Sequence, residues 1–328
     1  MKPSELRALL FTAVSCHEPV YIEGGPGIGK SAIVRQVAEE MGRVLYDTRA
    51  SQMDAVDTRG VPAAVGDRTK WLVPAEFPTE GSGIWFLDEL TAAPPSIQAA
   101  FYQLILDRRL GSYELPQGWD VIAAGNRLND RAIAFSMSSA LANRFVHATL
   151  EPDVDEWIMW AQANKVSPMV IGYIRARRVM LFNHDTKKNE KAFPTPRSWE
   201  KLDRLLKANH NPGMEFLLSA GAVGEGAAIE YDGFLKTWRE LPTTEEILKS
   251  PKSARVPPSE NTSAMYAVAT SLGDVTTPDN FGRVMIYAQR LPAEFATLIV
   301  QDALRKHRTM RDNPEYEKWC EKNKAVLV

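Results

Sequence analysis

The sequence predicts an α/β fold, a P-loop αβα sandwich on a five-stranded parallel sheet, followed by an all-helical region. Three observations carry that prediction. Residues 24–31, Gly-Gly-Pro-Gly-Ile-Gly-Lys-Ser, fit the phosphate-binding pattern G-x-x-x-x-G-K-[ST]. The run Ile84-Trp85-Phe86-Leu87 is apolar throughout and ends in Asp88-Glu89, as a strand buried on both faces of a parallel sheet does. After residue 150 the pattern shifts from short apolar runs to helix-start signals.

The chain of 328 residues is 45% hydrophobic and 24% charged, with a net charge of −2. That is an ordinary composition with room for two or three domains. The near-zero charge supplies no global field toward nucleic acid or an acidic membrane. The basic clusters Arg175-Ala176-Arg177-Arg178, Lys187-Lys188 and Arg305-Lys306-His307-Arg308 read as solvated faces. The two cysteines, Cys16 and Cys320, are far apart in sequence, which argues against a disulfide scaffold or a zinc site and suits a cytoplasmic protein. No apolar run is long enough to span a bilayer, and the N-terminal residues lack the basic-then-apolar pattern expected of a secretion signal. Neither H-E-x-x-H nor G-x-S-x-G occurs.

In chain order, Ser4 to Cys16 reads as a helix, with Leu6, Leu9, Leu10, Ala13 and Val14 on one stripe. Pro19 to Ile22 reads as the first strand, and Ala32 to Met41 as a helix closed by Gly42. Between them the glycines let the chain wrap a polyphosphate with its N–H groups pointing inward. The helix N-terminus adds partial positive charge. Candidate nucleotide contacts are Gly25, Pro26, Gly27, Ile28, Gly29, Lys30, Ser31 and Ala32. Lys30 would reach the outer phosphates, and the Ser31 hydroxyl would sit on Mg²⁺.

Arg43 to Tyr46 reads as the second strand. Asp47 to Pro78 is turn-rich and predicts a loop or hairpin that leaves the sheet. Within it Trp71 is either a contact residue or a core anchor. The third strand, Ile84 to Leu87, brings Asp88 and Glu89 to the edge where open α/β sheets bind ligands. There Asp88 would hold Mg²⁺ through water, and Glu89 would polarise an attacking water.

Pro94-Pro95 starts a helix over Ser96 to Asp107, and Leu110 to Trp119 suggests a short hairpin. Val121 to Ala124 is the fourth strand, ending in Gly125-Asn126. The Asn126 amide stands at the same edge, although Gly-Asn is also a common turn pair. Arg131 to Asn143 contains a helix-forming run, and Val146 to Leu150 is the fifth strand. Arg144, just before it, is either a partner to a carboxylate or an arginine finger offered to a neighbouring subunit.

Beyond residue 150 every strong signal is helical. Asp153 to Glu156 makes a capping box for a helix through Ala163. Ser167-Pro168 starts another through Phe182, and Thr195-Pro196 a third. Arg197 falls in that first turn, where a cation opposes the helix dipole and calls for a nearby anion. Pro212 to Pro242 predicts one or two helices, and Lys252 to Pro258 a linker. Helical runs follow over 262–272, 279–291 and 293–308, with a last helix from Asn313-Pro314 to Lys324.

Taken together, GGPGIGKS at 24–31, FLDELTAAPPSIQAAF at 86–101, AAGN at 123–126, ALANRF at 140–145 and TPRSW at 195–199 resemble the AAA+ ATPases, and within them the MoxR-like branch. The resemblance implies a nucleotide-binding core over 1–150, a helical lid over 151–250 and an additional C-terminal helical module over 251–328. It also implies a homo-oligomeric ring, usually a hexamer, with ATP and Mg²⁺ held between neighbours. Asn126 matches the first sensor, Arg144 the trans-acting arginine finger and Arg197 the second sensor. Two segments depart from the MoxR-type pattern. Thr91-Ala92 stands where Asn-Arg is usual, and Ala124-Gly125-Asn126-Arg127 where Thr-Gln-Asn-Pro is.

The resemblance implies an ATPase that remodels a protein client, with a separately encoded von Willebrand factor A-domain protein as partner. Glu89, Asn126, Arg144 and Arg197 are its candidate catalytic residues, and Ser31 and Asp88 its metal ligands. The alternatives are a nucleic-acid motor or clamp-loader-like machine, a scaffold locked by nucleotide without turnover, and a small-molecule kinase.

Overall fold

A computed structural model describes residues 1–127, 135–188 and 190–322. The chain forms two compact units, Met1–Glu156 with Asp185–Asn189, and Trp157–His184 with Glu190–Val328.

The first unit is the predicted α/β sandwich. Its strands in chain order are β1 (Val20–Glu23), β2 (Val44–Arg49), β3 (Val61–Val65), β4 (Arg68–Leu72), β5 (Gly83–Asp88), β6 (Arg109–Leu110), β7 (Tyr113–Glu114), β8 (Trp119–Gly125) and β9 (Val146–Thr149). Five of them build one sheet in the order β2-β5-β8-β1-β9, and every neighbouring pair is parallel. Chain-adjacent strands are therefore separated by crossovers, which the helices supply. Helix α1 (Pro3–Ser15) precedes the first strand, and the connecting helices are α2 (Lys30–Glu40), α3 (Ala55–Arg59), α4 (Pro95–Asp107) and α5 (Ser139–Ala142).

The all-apolar runs are buried as a central strand requires. Ile84, Trp85, Phe86 and Leu87 have no exposed surface, nor do Ile122, Ala123 and Ala124. One face of the sheet packs on α4 through Ile97, Phe101 and Leu104, in a cluster that also holds Phe77, Tyr113 and Trp119. Burying side chains of this size stabilises by about 1.5–3 kcal/mol each before ordering costs.

Several local expectations need correction. The second strand runs three residues past Tyr46, because Asp47, Thr48 and Arg49 continue its pairing with β5. The turn-rich segment does leave the sheet as the antiparallel hairpin β3–β4. Trp71 on it is 40% exposed, so it is not a core anchor. The second hairpin is confined to β6 and β7, because Trp119 already belongs to the central strand β8. The helix-forming run 131–143 contains α5 among its described residues; residues 128–134 lie outside the described residues.

The second unit is all-helical among the described residues. After α6 (Val154–Ala163), which begins in the first unit, come α7 (Pro168–Ala176), α8 (Pro196–Ala208), α9 (Glu215–Val223) and α10 (Glu225–Arg239). They are followed by α11 (Thr244–Lys249), α12 (Thr262–Val275), α13 (Phe281–Ala288), α14 (Ala293–Lys306) and α15 (Pro314–Lys322). Helix α7 ends at Ala176 and yields to a 3-10 turn over Arg178–Leu181, short of the expected Phe182. Helix α11 was not expected; Thr243 caps it and Glu246 closes its capping box.

One core joins α12, α13, α14 and α15 through Leu272, Phe281, Ile299 and Trp319. An aromatic cluster joins α7, α8 and α10, with the Tyr173 and Tyr231 rings 5.2 Å apart and Trp199 against both.

Arg175 overturns the solvated-face reading of its cluster. It is 5% exposed and forks onto Asp302, with Nη1 2.7 Å from Oδ2 and Nη2 2.9 Å from Oδ1. Arg177 in the same run is exposed and reaches Glu230 at 3.7 Å. Among the described residues no helix is long and apolar enough to cross a membrane.

Candidate functional site

The parallel sheet brings the C-terminal ends of β1, β5 and β8 side by side, and each end carries one predicted motif. Beyond β1 the loop Gly24–Gly29 turns into α2. Gly29 caps that helix with φ +103°, a left-handed conformation that L side chains rarely adopt. The first N–H groups of α2 have no partner within the helix.

Lys30, although charged, is 9% exposed. Its Nζ donates to the carbonyls of Gly24 at 2.7 Å and Gly25 at 2.9 Å, and to Asn126 Oδ1 at 3.0 Å. The ammonium therefore joins the loop to the end of β8. The Ser31 hydroxyl donates to Asp88 Oδ2 at 2.9 Å, which joins the start of α2 to the end of β5. A hydroxyl and a carboxylate held together are hard oxygen donors of the kind Mg²⁺ takes, with water completing its shell. The pair thus fits that ion.

Asp88 Oδ1 accepts from the Glu89 backbone N–H at 2.9 Å. Glu89 itself has φ +58° and ψ +32° and caps a 3-10 turn over Leu90–Ala92. A non-glycine residue held there costs about 1–3 kcal/mol, and such strain gathers at functional sites. The Glu89 carboxylate is half-buried and accepts a hydrogen bond from the Ser51 hydroxyl. Ser51 follows β2, so a fourth strand end reaches the same edge. The site is electrostatically mixed: burial, and next the Asp88 charge, push the Asp47 carboxyl above its usual range.

The structure therefore gathers Lys30, Ser31, Asp88, Glu89 and Asn126 at one sheet edge. Arg144 is not among them. It lies in the turn between α5 and β9, is exposed, and its guanidinium has no partner among the described residues. Arg197 belongs to the second unit, exposed in the first turn of α8 behind the Thr195 capping box.

Sequence reasoning passed over Ser51, Tyr21 and Thr91. The signal for Ser51 was its place just beyond the second strand. Thr91 was visible as a departure from the MoxR-type pattern, and so was Gly125. The structure shows that these two departures meet: a Cβ on Gly125 would lie 2.4 Å from Thr91 Oγ1 and 2.2 Å from the Tyr21 hydroxyl.

No curated protein matches the sequence significantly. Among solved structures the chain is similar to NtrX from Brucella abortus in complex with ADP, at 14% identity and a TM-score of 0.41, covering 99% of this chain and 68% of that one. It is also similar to the RuvB Holliday junction branch migration motor of Thermotoga maritima, at 15% identity and a TM-score of 0.39, covering 93% and 86%. Residues 19–145, which hold every candidate site residue of the first unit, match the family model of the AAA domain of the dynein-related subfamily.

Proposed function

We propose that the chain is a MoxR-like AAA+ ATPase that hydrolyses ATP between subunits of a homo-oligomeric ring and spends that turnover on remodelling a protein client. The observation that carries the reading is the pair of links Lys30–Asn126 and Ser31–Asp88 beside Glu89. On this reading Lys30 is the phosphate-binding cation, Ser31 and Asp88 the metal-ligand pair and Glu89 the general base, all on one edge.

In this reading the loop N–H groups, Gly25 to Ala32 and the Lys30 ammonium hold the polyphosphate. Ser31 and, through water, Asp88 would hold Mg²⁺, which would supply charge neutralisation of the phosphate oxygens. Glu89 orients a water and takes its proton as the water oxygen bonds to the γ-phosphorus. The bond from that phosphorus to the bridging oxygen breaks, and ADP leaves with the electron pair. Asn126 donates its amide N–H₂ to the γ-phosphate or to the water.

Arg144 acts in trans, since an exposed guanidinium at the end of α5, with no partner among the described residues, suits a site on a neighbouring copy. Arg197 on the helical unit serves as the second sensor, and residues 151–250 act as the lid. Residues 251–328 form a further helical module for assembly or for a von Willebrand factor A-domain partner.

The test is phosphate release and light scattering with ATP, on wild type and Glu89→Gln. Loss of a positioned general base lowers turnover by about 10²–10⁴-fold. Glu89→Gln should therefore bind ATP and assemble while releasing almost no phosphate. Wild-type turnover in that variant removes Glu89 from its role. Turnover that requires DNA and falls steeply with salt moves the reading to a nucleic-acid motor.

A further inference from the structure

Tyr21 occupies an unusual place in the first unit. It lies on β1, only 5% exposed, paired in register with Ala123 of β8 on one side and His147 of β9 on the other. Its hydroxyl donates to Thr91 Oγ1 at 3.4 Å, in the turn that starts with Glu89. The same hydroxyl lies over Gly125, where a Cβ would come within 2.2 Å, immediately before Asn126. Its ring packs on Phe145, with centroids 5.7 Å apart, immediately after Arg144. One buried side chain thus touches the chain next to Asn126 and Arg144 and the turn that Glu89 opens. Burial pushes the phenol above its usual range, so it remains a donor at neutral pH.

We propose that Tyr21 is a positioning residue that, with Thr91 and Gly125, sets the Glu89 turn, the Asn126 strand end and the Arg144 turn relative to one another. The proposal rests on the ATPase reading above for what those three residues do. Its physical basis is local. The Glu89 turn is strained at its first residue, and Asn126 lies just past the last paired residue of β8, so neither is held by the sheet's own ladder. The Tyr21 hydroxyl wedged between Thr91 and a residue with no room for a Cβ fixes both at once. On the opposite side the ring carries that register to Phe145. A displacement of about 1 Å at reacting groups costs as much as 100-fold in rate.

The experiment uses the full chain and the variants Tyr21→Phe, Thr91→Val and Thr91→Ser. Tyr21→Phe keeps the ring and removes the latch oxygen. Its turnover should fall roughly ten- to hundredfold, while affinity for a fluorescent ATP analogue stays within about twofold. Amide hydrogen exchange should rise together in residues 87–93 and 122–127. Thr91→Val should match Tyr21→Phe, Thr91→Ser should rescue turnover, and the double variant Tyr21→Phe/Thr91→Val should be no slower than either single one.

Wild-type turnover in Tyr21→Phe, additive losses in the double variant, or unchanged exchange in both segments overturns the proposal. If Tyr21→Phe does not fold, the contrast between Thr91→Val and Thr91→Ser decides. Should wild type itself show no turnover that Glu89→Gln abolishes, the ATPase reading fails, and the paired exchange response alone decides whether the latch exists.

Discussion

Replacing Arg175 with methionine removes the cation from a buried site. Arg175 and Asp302 side chains are 4% and 0% exposed. Three hydrogen bonds are lost: the two to the carboxylate and one to Thr270 Oγ1 at 3.0 Å. Among the described residues Asp302 then keeps only Arg305, at 3.5 Å and itself half in solvent. It cannot shift toward α12, because the Gly273 backbone already lies so close that an added Cβ would sit 2.8 Å from the Asp302 Cβ. An uncompensated buried charge of this kind costs about 3–5 kcal/mol, a large share of the 5–15 kcal/mol that holds a typical domain together.

The assay is chemical and thermal unfolding followed by tryptophan fluorescence, which the Trp199 and Trp319 environments of the second unit report. For a unit of this size a loss of that order lowers the midpoint by roughly 10 °C. Arg175→Lys should fall between, since a point charge cannot fork onto both carboxylate oxygens. The double variant Arg175→Met/Asp302→Leu, which leaves no charge behind, should recover most of the loss. A cost below about 1 kcal/mol for Arg175→Met, the range of an exposed pair, would refute the argument from burial.

Two further outcomes follow from local geometry. Gly29→Ala should weaken nucleotide binding and lower stability by about 1–2 kcal/mol, because the position is left-handed although no atom crowds it; an unchanged midpoint in a thermal melt would count against this. Asp153→Ala should cost about 1 kcal/mol, since Asp153 Oδ1 accepts from the Glu156 N–H at 2.9 Å at the start of α6. Burial pushes the Asp153 carboxyl up, but that hydrogen bond and the Lys2 ammonium at 3.1 Å outweigh it and hold the carboxyl below its usual range. A depressed folded-state value means the contribution is present above the unfolded-state value near 3.8 and is lost as pH falls through the folded one. The cost of Asp153→Ala measured at pH 7 should therefore shrink in acid below that point, and a pH-independent cost would contradict it.

The inner strands β5 and β8 were legible because they are buried on both faces. Ile84 to Leu87 and Val121 to Ala124 are apolar at every position, and no amphipathic helix is. The site edge was legible for a related reason. Polar residues that end such runs, Asp88, Glu89 and Asn126, have one end of the sheet to go to. Burial of a charge was not legible. Nothing in Arg175-Ala176-Arg177-Arg178 distinguishes the arginine that forks onto Asp302 from its exposed neighbours, since the partner lies 127 residues away. Contacts such as Tyr21 with Thr91 and Gly125 have no local spacing either, because the strand order that brings β1 beside β8 creates them. Helix α11 was readable from Thr243 and Glu246, a capping box, but at six residues it offers too little periodicity to stand out.

The claim most worth testing is that one catalytic site is shared by two copies of the chain. Glu89→Gln and Arg144→Ala should each bind ATP and each fail to release phosphate. Mixed in equal amounts and assembled together, they form junctions at random, and about one in four pairs an intact Glu89 with an intact Arg144 from its neighbour. The account predicts phosphate release from the mixture at up to that fraction of wild type. A mixture as silent as its two components, or an Arg144→Ala variant that hydrolyses ATP unaided, would contradict it.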